Sequence, residues 1–284
     1  MYRISKKDKH DLIEYYKQNV VTYAELSKKF GICCPTIGKI IKEAGLKPYT
    51  KTRIYNPTID ENYFSNIDSA NKAYFLGLIV TDDNLYRNPK GENIVSLTLS
   101  ENDRYLLEIF RKELGLKKEI SFDGRGCCQL SILSNKLYSD LENLGVEPRK
   151  STTISSLPQV PDQYVRDLIR GIIDGDGSIQ AHQTKSRFKH SLGISSGNAL
   201  FLKDFANTLY KFINIKHNKI YEYQDKQTCM LTWASYQDMY EFYKFLYYPG
   251  CICMTRKLDK LIFALKHKGY LINDNTEITS QIKA

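Results

Sequence analysis

Ile169-Arg170-Gly171-Ile172-Ile173-Asp174-Gly175-Asp176-Gly177-Ser178 is an apolar run with one glycine inside it, ending abruptly in acid, glycine, acid, glycine. A weaker copy stands at Phe75-Leu76-Gly77-Leu78-Ile79-Val80-Thr81-Asp82-Asp83-Asn84. The acid follows the glycine by five residues in both, Gly171 to Asp176 and Gly77 to Asp82. Each stretch is expected to be a helix that stops on its acid. In the second, Gly177 suits a residue in the left-handed region that ends a helix. In the first, Asn84 tolerates the same conformation.

The chain on the far side of each stretch repeats one order of elements. After Asp82, Val95, Leu97 and Leu99 alternate with Ile94, Ser96 and Thr98, as on the two faces of a strand. A helix is expected over 102–114, a strand pair over about 119–133 and a helix over 135–144, with Pro148-Arg149-Lys150 closing the unit. After Asp176 come two strands over 178–195, a helix over 198–212, two strands over 219–233 and a helix over 235–246. Arg256-Lys257 then leads into Leu258–Phe263. One acid-ended apolar helix is common. Two, each followed by the same elements and an Arg-Lys pair, indicate an internal duplication.

Residues 1–48 read as a helix-turn-helix domain. Helix 7–19 carries Leu12, Ile13 and Tyr16 on one face, and Thr22-Tyr23-Ala24-Glu25 is a capping box before a short helix to Phe30. Gly31 ends that helix, and Pro35 suits the first position of a third, with Ile37, Ile40 and Ile41 facing inward. Thr36, Lys39 and Lys42 lie on its outer face, where they can meet a DNA major groove; a three-helix protein-contact module is the alternative. Residues 49–68, with Lys51, Arg53 and Pro57, read as a linker.

The formal charge of +9 favours a polyanionic partner. Seven cysteines without zinc-ligand spacing read as reduced, mostly buried thiols of an intracellular protein, in the cytoplasm or an organelle matrix. The N-terminal stretch has no apolar segment of a secretory signal, and no apolar run approaches the roughly 20 residues of a membrane span.

The paired stretches resemble the motif of the LAGLIDADG homing endonucleases, strongly in the second copy and less so in the first, and the likeness extends over about 69–265. It implies an α+β fold: a tandem, pseudo-twofold pair of αββαββα units, residues 69–160 and 161–284, in a monomeric chain. It also implies a site-specific endonuclease that cuts both strands of DNA, with twisted β-ribbons in the major groove. A DNA-binding regulator without catalysis and an RNA-binding intron maturase are the alternative functions.

The residues agree with that chemistry. Phosphodiester hydrolysis needs an activated water and charge stabilisation, which divalent metals supply. Mg²⁺ (or Mn²⁺) takes one or two carboxylates, with water and phosphate completing its shell. Asp82 and Asp176 are the candidate catalytic and metal-binding acids, with Thr81 and Gly175 beside them as further ligands. A carboxylate at a helix C-terminus is unfavourable unless a cation offsets it, which points to a metal there. Asp83 is a rival ligand; register selects Asp82. Asp174, matched by Val80, is a structural acid. Gly77 and Gly171 would let the two helices approach closely. Lys150 and Lys257 stand where the resemblance places a basic catalytic residue, and Arg149 and Arg256 before them can bind phosphate. In 178–187, Gln180, His182 and Arg187 are candidates to read bases.

Overall fold

In a computed structural model of the chain, both acid-ended stretches are helices, and each is followed by a four-stranded antiparallel sheet. The structure describes residues 4–49, 58–146, 154–216, 218–223 and 228–272, with the backbone alone at 82–84. The chain divides into two compact units, one of residues 1–60 with 111–118 and the other of 61–110 with 119–284.

The first unit contains helices α1 (Lys6–Gln18), α2 (Tyr23–Phe30) and α3 (Cys34–Glu43). The capping box forms as expected. The Glu25 N–H donates to Thr22 Oγ1 at 3.0 Å, and the Thr22 N–H donates to the Glu25 carboxylate at 2.7 Å. Gly31 ends α2 with φ 66°, in the left-handed region. Helix α3 begins one residue earlier than expected, so Pro35 is second rather than first in it. Either place lies among the first N–H groups of a helix, which have no intrahelical acceptor, so proline forfeits nothing. Leu12, Tyr16, Leu26, Ile32, Ile37, Ile40 and Ile41 form the core between the three helices.

Of the stretch read as a linker, 49–68, the structure describes 49 and 58–68. Residues 50–57, with Lys51, Arg53 and Pro57, lie outside the described residues. Beyond them Ile59, Tyr63, Phe64 and Ile67 are buried. Within the first unit, the Asp60 N–H donates to Leu114 O at 2.9 Å and the Thr58 hydroxyl to Gly115 O at 2.5 Å. Within the second, Tyr63 and Phe64 pack against Phe110. Apolar residues every third or fourth position carry this stretch into the cores; the polar residues between them gave it the look of a spacer.

The second unit holds all of the duplication except residues 111–118. Its first repeat runs α4 (Ala70–Asp82), β1 (Asp83–Arg87), β2 (Asn93–Ser100), α5 (Arg104–Glu113), β3 (Ser121–Phe122), β4 (Cys127–Leu133) and α6 (Asn135–Asn143). Its second runs α7 (Val165–Asp176), β5 (Gly177–Gln183), β6 (Phe188–Ser196), α8 (Ala199–Ile213), β7 (Tyr221–Tyr223), β8 (Thr228–Trp233) and α9 (Tyr236–Leu246), and α10 (Thr255–His267) follows. The strand orders correspond: β1-β2-β4-β3 in one sheet, β5-β6-β8-β7 in the other.

Alternation sorts the two faces of each sheet. Val95, Leu97 and Leu99 pair with Ile132, Leu130 and Cys128 on the buried face. Ser96 and Thr98 lie on the opposite face, paired with Ser131 and Gln129. In the second sheet, Ile179, Leu192 and Trp233 form one buried row and Ile194 and Leu231 another. All seven cysteines are free thiols; Cys128, Cys229, Cys251 and Cys253 are buried, while Cys33 and Cys34 are exposed. Among the described residues no helix is long and apolar enough to cross a membrane.

Candidate active site and nucleic-acid interface

Helices α4 and α7 meet at their glycines. A Cβ on Gly77 would lie 2.9 Å from the Ile172 amide nitrogen and 3.0 Å from Gly171 Cα, and would strike the Leu168 carbonyl oxygen. A Cβ on Gly171 would lie 3.0 Å from Gly77 Cα and from the Leu78 nitrogen, and would strike the Tyr74 carbonyl oxygen. Leu168 stands to Gly171 as Tyr74 stands to Gly77, three residues earlier, and Ile172 and Leu78 each follow their glycine. The contact therefore maps onto itself when the helices are exchanged, which is the signature of a pseudo-twofold axis passing through it. No side chain fits between these backbones, and glycine is what each position requires.

Beyond the glycines, each helix ends on its acid with no loop after it. Helix α4 stops at Asp82 and β1 starts at Asp83; α7 stops at Asp176 and β5 starts at Gly177. Backbone register thus makes Asp82 the equivalent of Asp176, and Asp83 that of Gly177. Asp176 is exposed at the helix end. Gly177 does not stop the helix as expected. Its φ of −74° and ψ of 146° are extended, not left-handed. It is needed for space instead: a Cβ would lie 2.9 Å from Ile173 Cα and carbonyl carbon, and closer still to the carbonyl oxygen.

Lys257 is buried at 7 % exposure, with its ammonium at this helix end. Nζ donates to the carbonyl oxygens of Ile173 (2.9 Å), Gly175 (2.9 Å), Gly177 (2.7 Å) and Asp174. An ammonium has three protons, so these four acceptors share them. The negative end of the α7 dipole already has a cation from within the chain. This weakens the expectation that a carboxylate at that end calls for a metal by itself. Thr81, a candidate ligand, turns its hydroxyl onto its own helix, donating to Leu78 O at 2.9 Å and Gly77 O at 3.2 Å. Lys150 and Arg149 lie outside the described residues. Among the described residues no group of three or more His, Cys, Asp or Glu gathers as a ready-made metal cage. The exposed Asp176 carboxylate nevertheless fits a hard cation that keeps most of its water and needs one or two protein oxygens.

Behind the helix ends lies a buried polar layer that the motif spacing did not reveal. Asp174 is fully buried; its Oδ2 accepts from the Tyr74 hydroxyl of α4 at 2.8 Å and from the Met254 N–H at 2.7 Å. Burial pushes its carboxyl above the usual range, against the Met254 amide, which favours the ionised form. Arg170, also fully buried, donates to Leu246 O at 2.7 Å, Ile252 O at 2.8 Å and Asp167 Oδ1 at 2.7 Å. Arg256, expected to be available for phosphate, is bound to Asp103 Oδ2 at 2.8 Å. The Tyr105 hydroxyl donates to Cys253 O at 2.7 Å and accepts from the Thr255 N–H at 2.9 Å.

The candidate DNA-reading residues fall in three places. Gln180 and His182 are exposed on the outer face of β5, opposite Ser191 and Lys189 of β6. Arg187 is exposed on the turn between these strands, where the Thr184 N–H donates to its carbonyl at 2.9 Å. Lys39 and Lys42 are exposed on α3, while Thr36 is half-buried with its Oγ1 3.0 Å from Cys33 Sγ. Strand pairing adds residues that composition did not single out. Lys189 stands across from His182, and the half-exposed Tyr221 and Tyr223 continue the outer face on β7, paired with Met230 and Thr228. Their signal was the alternation of the strands, readable only once the pairing partners are known.

Residues 163–246, within the second repeat, match the family model described as a LAGLIDADG-like domain. No curated protein matches the chain in sequence. Among solved structures, the chain is similar to the meganuclease I-SmaMI bound to uncleaveable DNA, at 15 % identity over 74 % of this chain and 94 % of that one, with a TM-score of 0.46. It is similar to the LAGLIDADG homing endonuclease I-LtrWI bound to target DNA, at 14 % identity over 79 % and 97 %, with a TM-score of 0.47. For mesophilic variants of the homing endonuclease I-DmoI the identity is 21 % over 62 % and 94 %, and the TM-score is 0.45.

Proposed function

We propose that the protein is a site-specific, metal-dependent DNA endonuclease of the homing type, acting as a single chain on both strands of a long site. The observation that carries this reading is the symmetric glycine contact of α4 and α7, with an acid five residues past each glycine. Helical rise puts each acid about 7–8 Å beyond the contact. A Cβ leans toward the N-terminus of its own helix, and at both glycines it leans on the partner residue three positions before the partner's glycine. This favours helices running in the same sense, with both acids on one side of the unit. The match of 163–246 to the LAGLIDADG-like domain supports the same reading.

In this reading Asp82 and Asp176 hold divalent metal, Mg²⁺ or Mn²⁺, through carboxylate oxygen. When bound, the metal lowers the pKa of a coordinated water and offsets charge on the phosphate. Lys257 fixes the carbonyls around Asp176, which holds the carboxylate in place, and its charge favours an approaching phosphate. Lys150 does the equivalent work in the first repeat. Gln180, His182, Lys189 and Arg187 face the duplex from the second sheet. Lys39, Lys42 and Thr36 of the three-helix unit contact DNA outside the central site, chiefly through phosphate.

The test is cleavage mapping on a plasmid library carrying the DNA around the gene and its unoccupied insertion-site form, in Mg²⁺ and in Ca²⁺ or EDTA. A discrete Mg²⁺-dependent double-strand break, lost in Asp82→Asn/Asp176→Asn, is the expected result. Tight duplex binding with no cut in any metal would instead mark a regulator, and binding of the intron transcript alone would mark a maturase.

A further inference from the structure

The tip of the β5–β6 hairpin is held by rings. Gln180 and His182 of β5 share the outer face with Ser191 and Lys189 of β6, so Phe188 and His190 point inward. There Phe188 lies flat on His267 of α10, with ring centroids 3.8 Å apart and planes at 17°. Phe263 of the same helix meets it edge-on at 5.7 Å. His190 lies flat on Tyr236, the first residue of α9, at 3.7 Å and 16°. Phe188 and His190 are themselves nearly parallel, 6.3 Å apart.

The place of these rings gives them a purpose. Strand β8 pairs with β6 from Ser196 as far as Leu192. From there to the turn, the described pairing of 188–191 is with β5 alone. A two-stranded ribbon is marginal in water and needs a helix against it. Near the acid the inner row is aliphatic and buried, with Ile179 and Leu192; at the tip, half-buried Phe188 and exposed His267 take over. Helix α10 thus acts at both ends. Lys257 binds the carbonyls around Asp176, and His267, roughly 15 Å further along the axis, holds the hairpin.

We infer that Phe188 and His267 are positioning residues for sequence recognition: their stack sets where His182, Lys189 and Arg187 meet the duplex. This deepens the nuclease reading and rests on it. Strand β5 starts directly after Asp176, so His182 stands about 20 Å from the acid along extended backbone. At about 3.4 Å per base pair, that is about six base pairs away. A slack tip blurs recognition there, on one side of the break, and spares the pairs beside it.

The experiment uses the full chain and duplexes carrying the mapped site with each base pair substituted in turn. Discrimination is the ratio of Kd values in Ca²⁺, position by position. Phe188→Leu and His267→Ala are each expected to relax it about twofold to tenfold, the worth of one ring pair, around the sixth base pair on one side. Discrimination beside the break and on the other side stays at the wild-type value, and His267→Phe, which keeps a flat ring, restores the profile. Tyr270→Leu is the control: it removes a ring contact with Tyr240 of α9, 4.7 Å between centroids, and leaves the profile unchanged. His267 is exposed, so its variant tests the inference even where Phe188→Leu does not fold. An unchanged profile, or one relaxed equally along the whole site, in folded His267→Ala overturns the inference and leaves the nuclease reading intact. A wild-type protein with no preference among duplexes overturns both.

Discussion

Gly77 and Gly171 each stand where the other helix leaves no room for a side chain: the Cβ either one lacks would lie 3.0 Å from the other's Cα. The first atom to clash is in both cases a backbone carbonyl oxygen, which cannot rotate away. Gly77→Ala and Gly171→Ala are each expected to lower the unfolding free energy by at least about 2 kcal/mol, in the overpacking range. The double variant should fall short of the sum, because one separation of the helices relieves both clashes. Urea denaturation checks this, and an alanine variant as stable as wild type would refute the contact.

Arg170 is a second place where one atom set decides stability. Three of its donors end on Leu246 O, Ile252 O and Asp167, all away from solvent. Arg170→Met strands these acceptors and is expected to cost about 3–5 kcal/mol. Adding Asp167→Leu removes the orphaned carboxylate and should recover part of that loss, although the Tyr248 hydroxyl then loses its 2.6 Å partner. The sign of the coupling, read from denaturation midpoints of the four proteins, is the measurement.

Lys257→Met tests whether one lysine holds the helix end. With the ammonium gone, the carbonyls of Ile173, Asp174, Gly175 and Gly177 lose their common donor. A loss of about 1–3 kcal/mol is expected, with faster amide exchange in the last turn of α7 and the first residues of β5. Unchanged exchange there would mean that the helix end does not depend on this residue.

Glu25 gives a pH prediction with a definite sign. The Thr22 backbone N–H and then the Thr22 hydroxyl, both bonded to its carboxylate, hold its pKa below the ordinary 4.5. A carboxyl depressed in the folded state contributes stability that is present in full above 4.5 and is lost as the pH falls through the lower folded value. Acidification should therefore loosen the first turn of α2, seen as rising exchange of the Thr22 amide. Glu25→Gln should abolish that pH dependence, and its persistence in the variant would assign it to another group.

The sequence carried much of this fold because its strongest signals were local. The acid-ended apolar runs, the Thr22–Glu25 box and the alternation from Ile94 to Leu99 each depend on neighbours a few residues apart. Gly77 and Gly171 were legible as a close approach because a glycine inside an apolar helix has few other uses. The misreadings were contacts over long separations. Nothing near Gly177 in sequence indicates that Lys257 neutralises the helix end from 80 residues away at Gly177 O. Arg256 pairs through Nε with Asp103, 153 residues earlier, a partner that no local pattern indicates. The apolar spacing from Ile59 to Ile67 was present in the sequence, but the polar residues around it masked the signal.

The direct passage of α7 into β5 has a consequence for redesign. Side chains alternate along a strand with a period of two, so inserting a single residue after Asp176 would move Gln180 and His182 to the inner face and bring Ile179 to the outer one. There is no loop to absorb the shift. The surface that faces outward and the helix that bears the acid therefore share one reading frame, and neither can be lengthened without rewriting the other.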